Sequence, residues 1–280
     1  MASAVVRDTA LRAPILVLVL ALAAALGAST GVAAAPASPP TIEELRTAQY
    51  QPELEFVRAL PDGDGYTAAL YAYRSAGLRV HAFVAEPLGT PPPDGWPVLV
   101  ANHGFHPDPP RYGITADGVD SRPGDYYRAV PGAFVREGFM VVMPDYRGHN
   151  VSEGREYARG LLASSFYTAD VLALLPGIEA IPRADRRNVF MWGHSLGGEV
   201  TLRALLATDR VRAASLWSTV GGDVWEQAYR RSRADIDRTD IPKRGLETLR
   251  AELAAHGTYD WRLREPTHVV DGLRVPIILH

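Results

Sequence analysis

Residues 191–200 read MWGHSLGGEV, and Ser195 stands at the centre of Gly193-His194-Ser195-Leu196-Gly197. A serine hydroxyl attacks carbonyl carbon only when a base takes its proton and an acid orients that base. The flanking residues have a mechanical role. An apolar run, NVFMW, leads into the serine, and LGGEVTLRALLATD leads away from it, which predicts a strand, a sharp turn and a helix. Bulky side chains at 193 and 197 would collide in such a turn, so two glycines there let the serine project above the sheet. The first helical amides then point at whatever the hydroxyl attacks, which makes the Leu196 N–H a natural donor to an oxyanion. His194 is next to the serine, but neighbouring side chains diverge at a sharp turn. It is expected to pack beside the turn rather than to serve as base.

A second loop offers a second donor. VLVANHGFHPDPPRYG ends a buried strand in His103-Gly104-Phe105, where a His-Gly pair lets the backbone curl close to the nucleophile. The Phe105 N–H is the expected second oxyanion donor, and His103 is expected to fix the loop by hydrogen bonds. His103, His106 and Asp108 are not completed by any further ligand, so no metal and no cofactor is expected. After the next strand, PDYRGHNVSEG places Asp145 and Arg147 beside Gly148, which suggests a structural charge staple. Asp62 and Asp64 lie in PDGDG without the other ligands of a calcium loop, and are expected to form a plain turn.

These residues need a scaffold, and the hydrophobic pattern supplies one. Residues 41–60 suggest a short amphipathic lead-in. YTAALYAYRSAG and LRVHAFVAEP alternate about a glycine and predict an antiparallel pair. Strands are then expected at 97–102, 139–144, 188–193, 211–217 and 274–279, and helices at 129–137, 164–180 and 196–208. Short Val/Leu/Met-rich strands separated by helices imply a mostly parallel sheet covered on both faces, the α/β class. Residues 222–271 are charged and interrupt this rhythm. They suggest a helical cap insertion over the carboxyl edge of the sheet, with Trp225, Tyr229 and Trp261 as its aromatic residues.

Composition narrows the function classes. The chain has 280 residues, 47% hydrophobic and 22% charged, with a formal net charge of −3. That balance gives no electrostatic reason to expect nucleic acid as a partner. Arg7 and Arg12 precede the apolar run Ile15–Ala28, and GVAAAPASPP follows. Residues 1–38 are therefore expected to be a secretory signal peptide, with 39–280 as the exported domain and no stable membrane association after cleavage. The apolar run is shorter than the roughly 20 residues of a membrane span. There is no cysteine, so neither a disulfide framework nor a thiol-linked lipid anchor is available.

With MWGHSLGGE, the His-Gly loop and DYRGHNVSEG on the page, the chain resembles the α/β-hydrolase superfamily over roughly residues 66–279. Within it, the likeness is to the prolyl-oligopeptidase-like branch that includes acylaminoacyl peptidases and related esterases. The resemblance implies an eight-stranded sheet and a triad in the order serine, acid, histidine. It makes Ser195 the nucleophile, with Leu196 and Phe105 as the oxyanion residues. It also places the acid just after the seventh strand and the histidine after the eighth. LRVPIILH, residues 273–280, resembles that seventh strand, so both partners are expected beyond residue 280, with the last strand and helix. His256, His268, Asp260 and Asp271 are internal alternatives in the charged segment. The large peptidases of the branch carry a propeller before the hydrolase domain. Here only a short stretch precedes the first strand, which favours a compact esterase over a peptidase. The expected substrate is a small-molecule or peptide acyl compound, cleaved as a carboxylic ester in preference to an amide. An acyltransferase using the same residues, and a catalytically inactive hydrolase-like fragment or binding module, are the alternatives.

Overall fold

The structure is a computed structural model, and it describes residues 38–112, 127–158, 160, 162–220, 250–251, 254 and 260–280. The expected signal segment lies outside them apart from Ser38. So does most of the expected cap, including Trp225, Tyr229 and the Trp261 side chain.

The expected lead-in divides in two. Residues Ile42–Thr47 form helix α1, opened by a capping box in which Thr41 and Glu44 satisfy each other's backbone amides. Strand β1 then begins at Glu55 and runs through Pro61 to Gly63. Only Asp64-Gly65 is left as the turn, so most of PDGDG is strand. Strands β2 (Tyr66–Ser75) and β3 (Leu78–Pro87) pair antiparallel in continuous register from Tyr66 opposite Pro87 to Ser75 opposite Leu78. Ala76 and Gly77 join them with φ of 47° and 84°, the positive pair that a two-residue hairpin turn needs.

The chain then alternates. Strand β4 (Trp96–Asn102), helix α2 (Val130–Arg136), strand β5 (Met140–Asp145), helix α3 (Ala163–Gly177), strand β6 (Ala184–His194), helix α4 (Leu196–Ala207) and strand β7 (Ala214–Trp217) follow in order. Strand β8 (Ile277–Leu279) is shorter than expected, and β6 is longer. Three short 3₁₀ turns between 261 and 272 precede β8. The eight strands form one mixed sheet in the order β1-β2-β3-β5-β4-β6-β7-β8. The pairs β4/β5, β4/β6, β6/β7 and β7/β8 are parallel. The parallel part carries β6 at its centre, with β4 on one side and β7 on the other.

Each central strand is buried on both faces, as its unbroken apolar run demands. Val98, Val100, Met140, Val142 and Met191 enter one core with α1, α3 and α4. Leu99, Ala101, Val141, Met143 and Trp192 enter a second core with α2 and Tyr127. Helix α3 is buried along its entire length, which explains why its sequence is apolar on every side. The residues directly after β4, β5 and β6 lie at the carboxyl ends of these parallel strands.

Candidate active site

Ser195 follows the last residue of β6 and precedes the first residue of α4, with φ 55° and ψ −120°. That is a sparsely populated conformation for a residue with a Cβ, and it persists only where the surroundings enforce it. They do so with three backbone hydrogen bonds. The Ser195 N–H donates to the Trp217 carbonyl at 2.9 Å, and its own carbonyl accepts from Gly198 and Val220, each at 3.0 Å. The turn is thereby stitched to β7 on one side and to its own helix on the other.

The two flanking glycines are required by space. A Cβ on Gly193 would come within 2.5 Å of both the Gly197 carbonyl oxygen and Thr201 Oγ1, and one on Gly197 would overlap the Asn102 carbonyl. The end of β4 thus lies directly against the first turn of α4. Asn102 completes this junction. Its Nδ2 donates to Thr201 Oγ1 at 2.8 Å, and Thr201 donates in turn to the Gly197 carbonyl at 2.8 Å. Neither Asn102 nor Thr201 was singled out in the sequence. An amide at the end of an otherwise apolar strand was the one signal available.

The His-Gly loop lies where expected. A Cβ on Gly104 would stand 3.2 Å from both the Ser195 Cβ and the His194 carbonyl, so the loop backbone runs past the serine. The next amide, Phe105 N–H, has no acceptor among the described residues. The Phe105 side chain is 70% exposed. Leu196, as the first residue of α4, carries one of the helical amides that lack an intrahelical partner. The elements that adjoin Ser195 thus carry two backbone amides, those of Leu196 and Phe105, with no acceptor among the described residues.

The histidines divide by burial. His103 is wholly buried between Tyr112 and Tyr146, with ring centroids 3.7 and 4.1 Å away. Its Nδ1 donates to the Gly104 carbonyl at 2.9 Å, while Nε2 is buried with no partner among the described residues. Burial, reinforced by the nearby His149, pushes the His103 imidazole well below its ordinary pKa. It is a loop anchor, as the sequence suggested. His194 packs against Trp192 and shares a hydrogen bond with the Tyr127 hydroxyl at 2.5 Å. His106 accepts from the Asp108 backbone. Among the described residues, no imidazole or carboxylate hydrogen-bonds the Ser195 hydroxyl.

The internal alternatives are held elsewhere. Asp260 binds Arg262. The turn carrying His268 is fastened through Glu265 to Arg203, buried in α4. Arg203 lies eight residues beyond Ser195, roughly 12 Å along the helix, and Gly272 packs beyond it against Leu206. His268 and Asp271 thus belong to the far half of α4. His256 lies outside the described residues. The charge staple at PDYRG is also redistributed. Arg147 is paired with Asp170 of α3, while Asp145 accepts from Asn150 Nδ2 at 2.8 Å.

A serine in this backbone conformation, at the end of the central strand of a sheet ordered in this way, defines the fold. The chain has the α/β-hydrolase fold. Residues 118–234 match the serine aminopeptidase hydrolase family. The acetyl xylan esterase 1 of a Thermoanaerobacterium species superposes with a TM-score of 0.54 at 17% identity, covering 85% of this chain and 74% of that one. The acylaminoacyl peptidase of Pyrococcus horikoshii gives a TM-score of 0.55 at 20% identity, over 77% of this chain and 32% of its own. Dipeptidyl peptidase 4 of Porphyromonas gingivalis gives 0.53 at 17%, over 77% and 27%. These likenesses are of fold. A protein from the traX-finO intergenic region of Escherichia coli is 32% identical over 93 residues, which span 33% of this chain and 32% of that relative.

Proposed function

We propose that this hydrolase cleaves carboxylic esters, and amides less readily, through an acyl-enzyme on Ser195. One observation carries the proposal: Ser195 is held at φ 55° between β6 and α4, and the Leu196 and Phe105 amides have no acceptor among the described residues. The serine oxygen attacks the carbonyl carbon and the carbonyl oxygen takes up negative charge. The two amides bind that oxyanion, and the leaving group departs with a proton. Water then adds to the acyl carbon, and the serine is released with the carboxylate product. Losing one such donor typically costs about 10²–10³ in turnover.

The base and its acid are assigned to residues outside the described ones. Support comes from the serine itself, whose hydroxyl meets no imidazole or carboxylate among the described residues. The N-terminal basic and apolar segment is assigned to export, which the N-terminal sequence of secreted protein would check.

The test is intact mass after fluorophosphonate treatment of the full encoded chain, beside a Ser195→Ala control. One adduct per chain that disappears in the control is expected. An adduct that survives Ser195→Ala, or a folded chain that takes none, would sink the assignment.

A further inference from the structure

The two loops that present the oxyanion amides come from different elements, Phe105 from the end of β4 and Leu196 from the start of α4. Their separation must be held to within a fraction of an ångström if both are to reach one oxygen. A single hydroxyl stands between them. The Gly104 N–H donates to Tyr127 Oη at 2.9 Å, and the same Oη lies 2.5 Å from His194 Nδ1. Gly104 immediately precedes Phe105, and His194 immediately precedes Ser195. The hydroxyl therefore touches the residue before the free amide on one side and the residue before the serine on the other. A Cβ on Gly104 would come within 2.6 Å of Oη, so glycine is what allows the approach.

Tyr127 is itself well fixed. It is 7% exposed, stands edge-on to Trp192 at 6.1 Å, and lies 6.0 Å from Tyr112 and 6.2 Å from His103. Its carbonyl accepts from Val130 N–H at the start of α2. The ring thus reaches into the site from the residues just before α2, buried among aromatic rings. The Gly104 N–H is thereby claimed by the tyrosine, which leaves the next one, on Phe105, as the donor.

We propose that Tyr127 is a positioning residue of the oxyanion site, its hydroxyl clamping the His103–Phe105 loop to the serine turn through Gly104 and His194. The proposal rests on Ser195 being the nucleophile. Tyr127 touches neither the serine oxygen nor the substrate carbonyl; it acts through the Phe105 amide.

The test compares the full chain with its Tyr127→Phe variant, which keeps the ring and removes only the hydroxyl. Two quantities are read: hydrogen exchange at the Gly104 amide, and the kinetics of fluorophosphonate labelling. Exchange at Gly104 is expected to quicken at least about tenfold while amides of β4 and β6 keep their protection. The maximal labelling rate is expected to fall about 10- to 100-fold with the half-saturating probe concentration unchanged. Unchanged exchange and unchanged labelling would overturn the clamp. So would protection lost evenly across β4 and β6, because that is the mark of a merely structural tyrosine. A wild-type chain that takes no label would remove Ser195 as nucleophile and with it the positioning role. Gly104 exchange would then still report whether the hydroxyl holds the loop.

Discussion

Arg147 and Asp170 meet with no exposed side-chain surface on either partner. Arg147 Nη2 lies 2.7 Å from Asp170 Oδ1, Nε lies 3.1 Å from both carboxylate oxygens, and the Arg147 backbone N–H donates to Oδ2 at 2.8 Å. The pair fastens the loop after β5 to the middle of α3, beneath the aromatic cluster that holds His103. Arg147 also stacks over Phe166 and Tyr157. Removing one partner leaves the other charge buried, a cost of about 3–5 kcal/mol. Asp170→Asn is expected to lower the urea midpoint accordingly, and Arg147→Lys to recover little, because an ammonium lacks the planar fork.

A second buried group of charges ties α4 to the segment before β8. Arg203 reaches Glu199 at 2.8 Å and Glu265 at 3.2 Å, and Ser164 of α3 donates to Glu199 at 2.9 Å. Arg203→Met is expected to cost about 3–5 kcal/mol, since two carboxylates would share a dry site without their cation. Native-state proteolysis should cut 260–272 first in that variant, before the sheet opens.

Burial lowers the His149 imidazole from 6.5 to about 4, and that of His103 in the same direction. Both rings are therefore neutral in the folded protein near neutral pH. Between about pH 6.5 and 4 the unfolded chain binds protons that the folded chain refuses. Stability is complete above pH 6.5 and falls as the pH drops toward 4, by roughly 3 kcal/mol for His149 alone. Urea unfolding at pH 7 and pH 5 should show the loss, and His149→Gln should flatten the slope. A slope untouched by that change would contradict the assignment.

The serine turn stores strain that glycine would release. Ser195→Gly is expected to be more stable than Ser195→Ala by about 1 kcal/mol, because glycine adopts φ 55° freely. Gly197→Ala is expected to lose about 1–3 kcal/mol by pressing a methyl group on the Asn102 carbonyl. Denaturant midpoints of the three variants give the order.

Much of the scaffold was legible before the structure. The five apolar runs from 97 onward became strands within a few residues; in β4 and β5 burial on both faces writes itself as an unbroken apolar pattern, whereas β8 leaves Ile278 and Leu279 exposed. The glycines around Ser195 were legible for the same local reason, since crowding at a sharp turn depends on adjacent residues. The N-terminal strand was harder to see. Residues 55–63 carry charges and a proline, yet β1 is an edge strand whose exposure tolerates both.

What the sequence determined by itself is therefore local: the order of strands and helices, and a serine between glycines at a strand–helix junction. The tertiary structure alone decided which distant residues meet. Asp170 displaced Asp145 as the partner of Arg147, Asn102 locked onto Thr201, and the Tyr127 hydroxyl came to lie between Gly104 and His194. Such pairings depend on strand order and helix crossing, which bring residues tens of positions apart within 3 Å of each other. No periodicity in the chain encodes those distances, because they are set only when the sheet closes and its two cores pack.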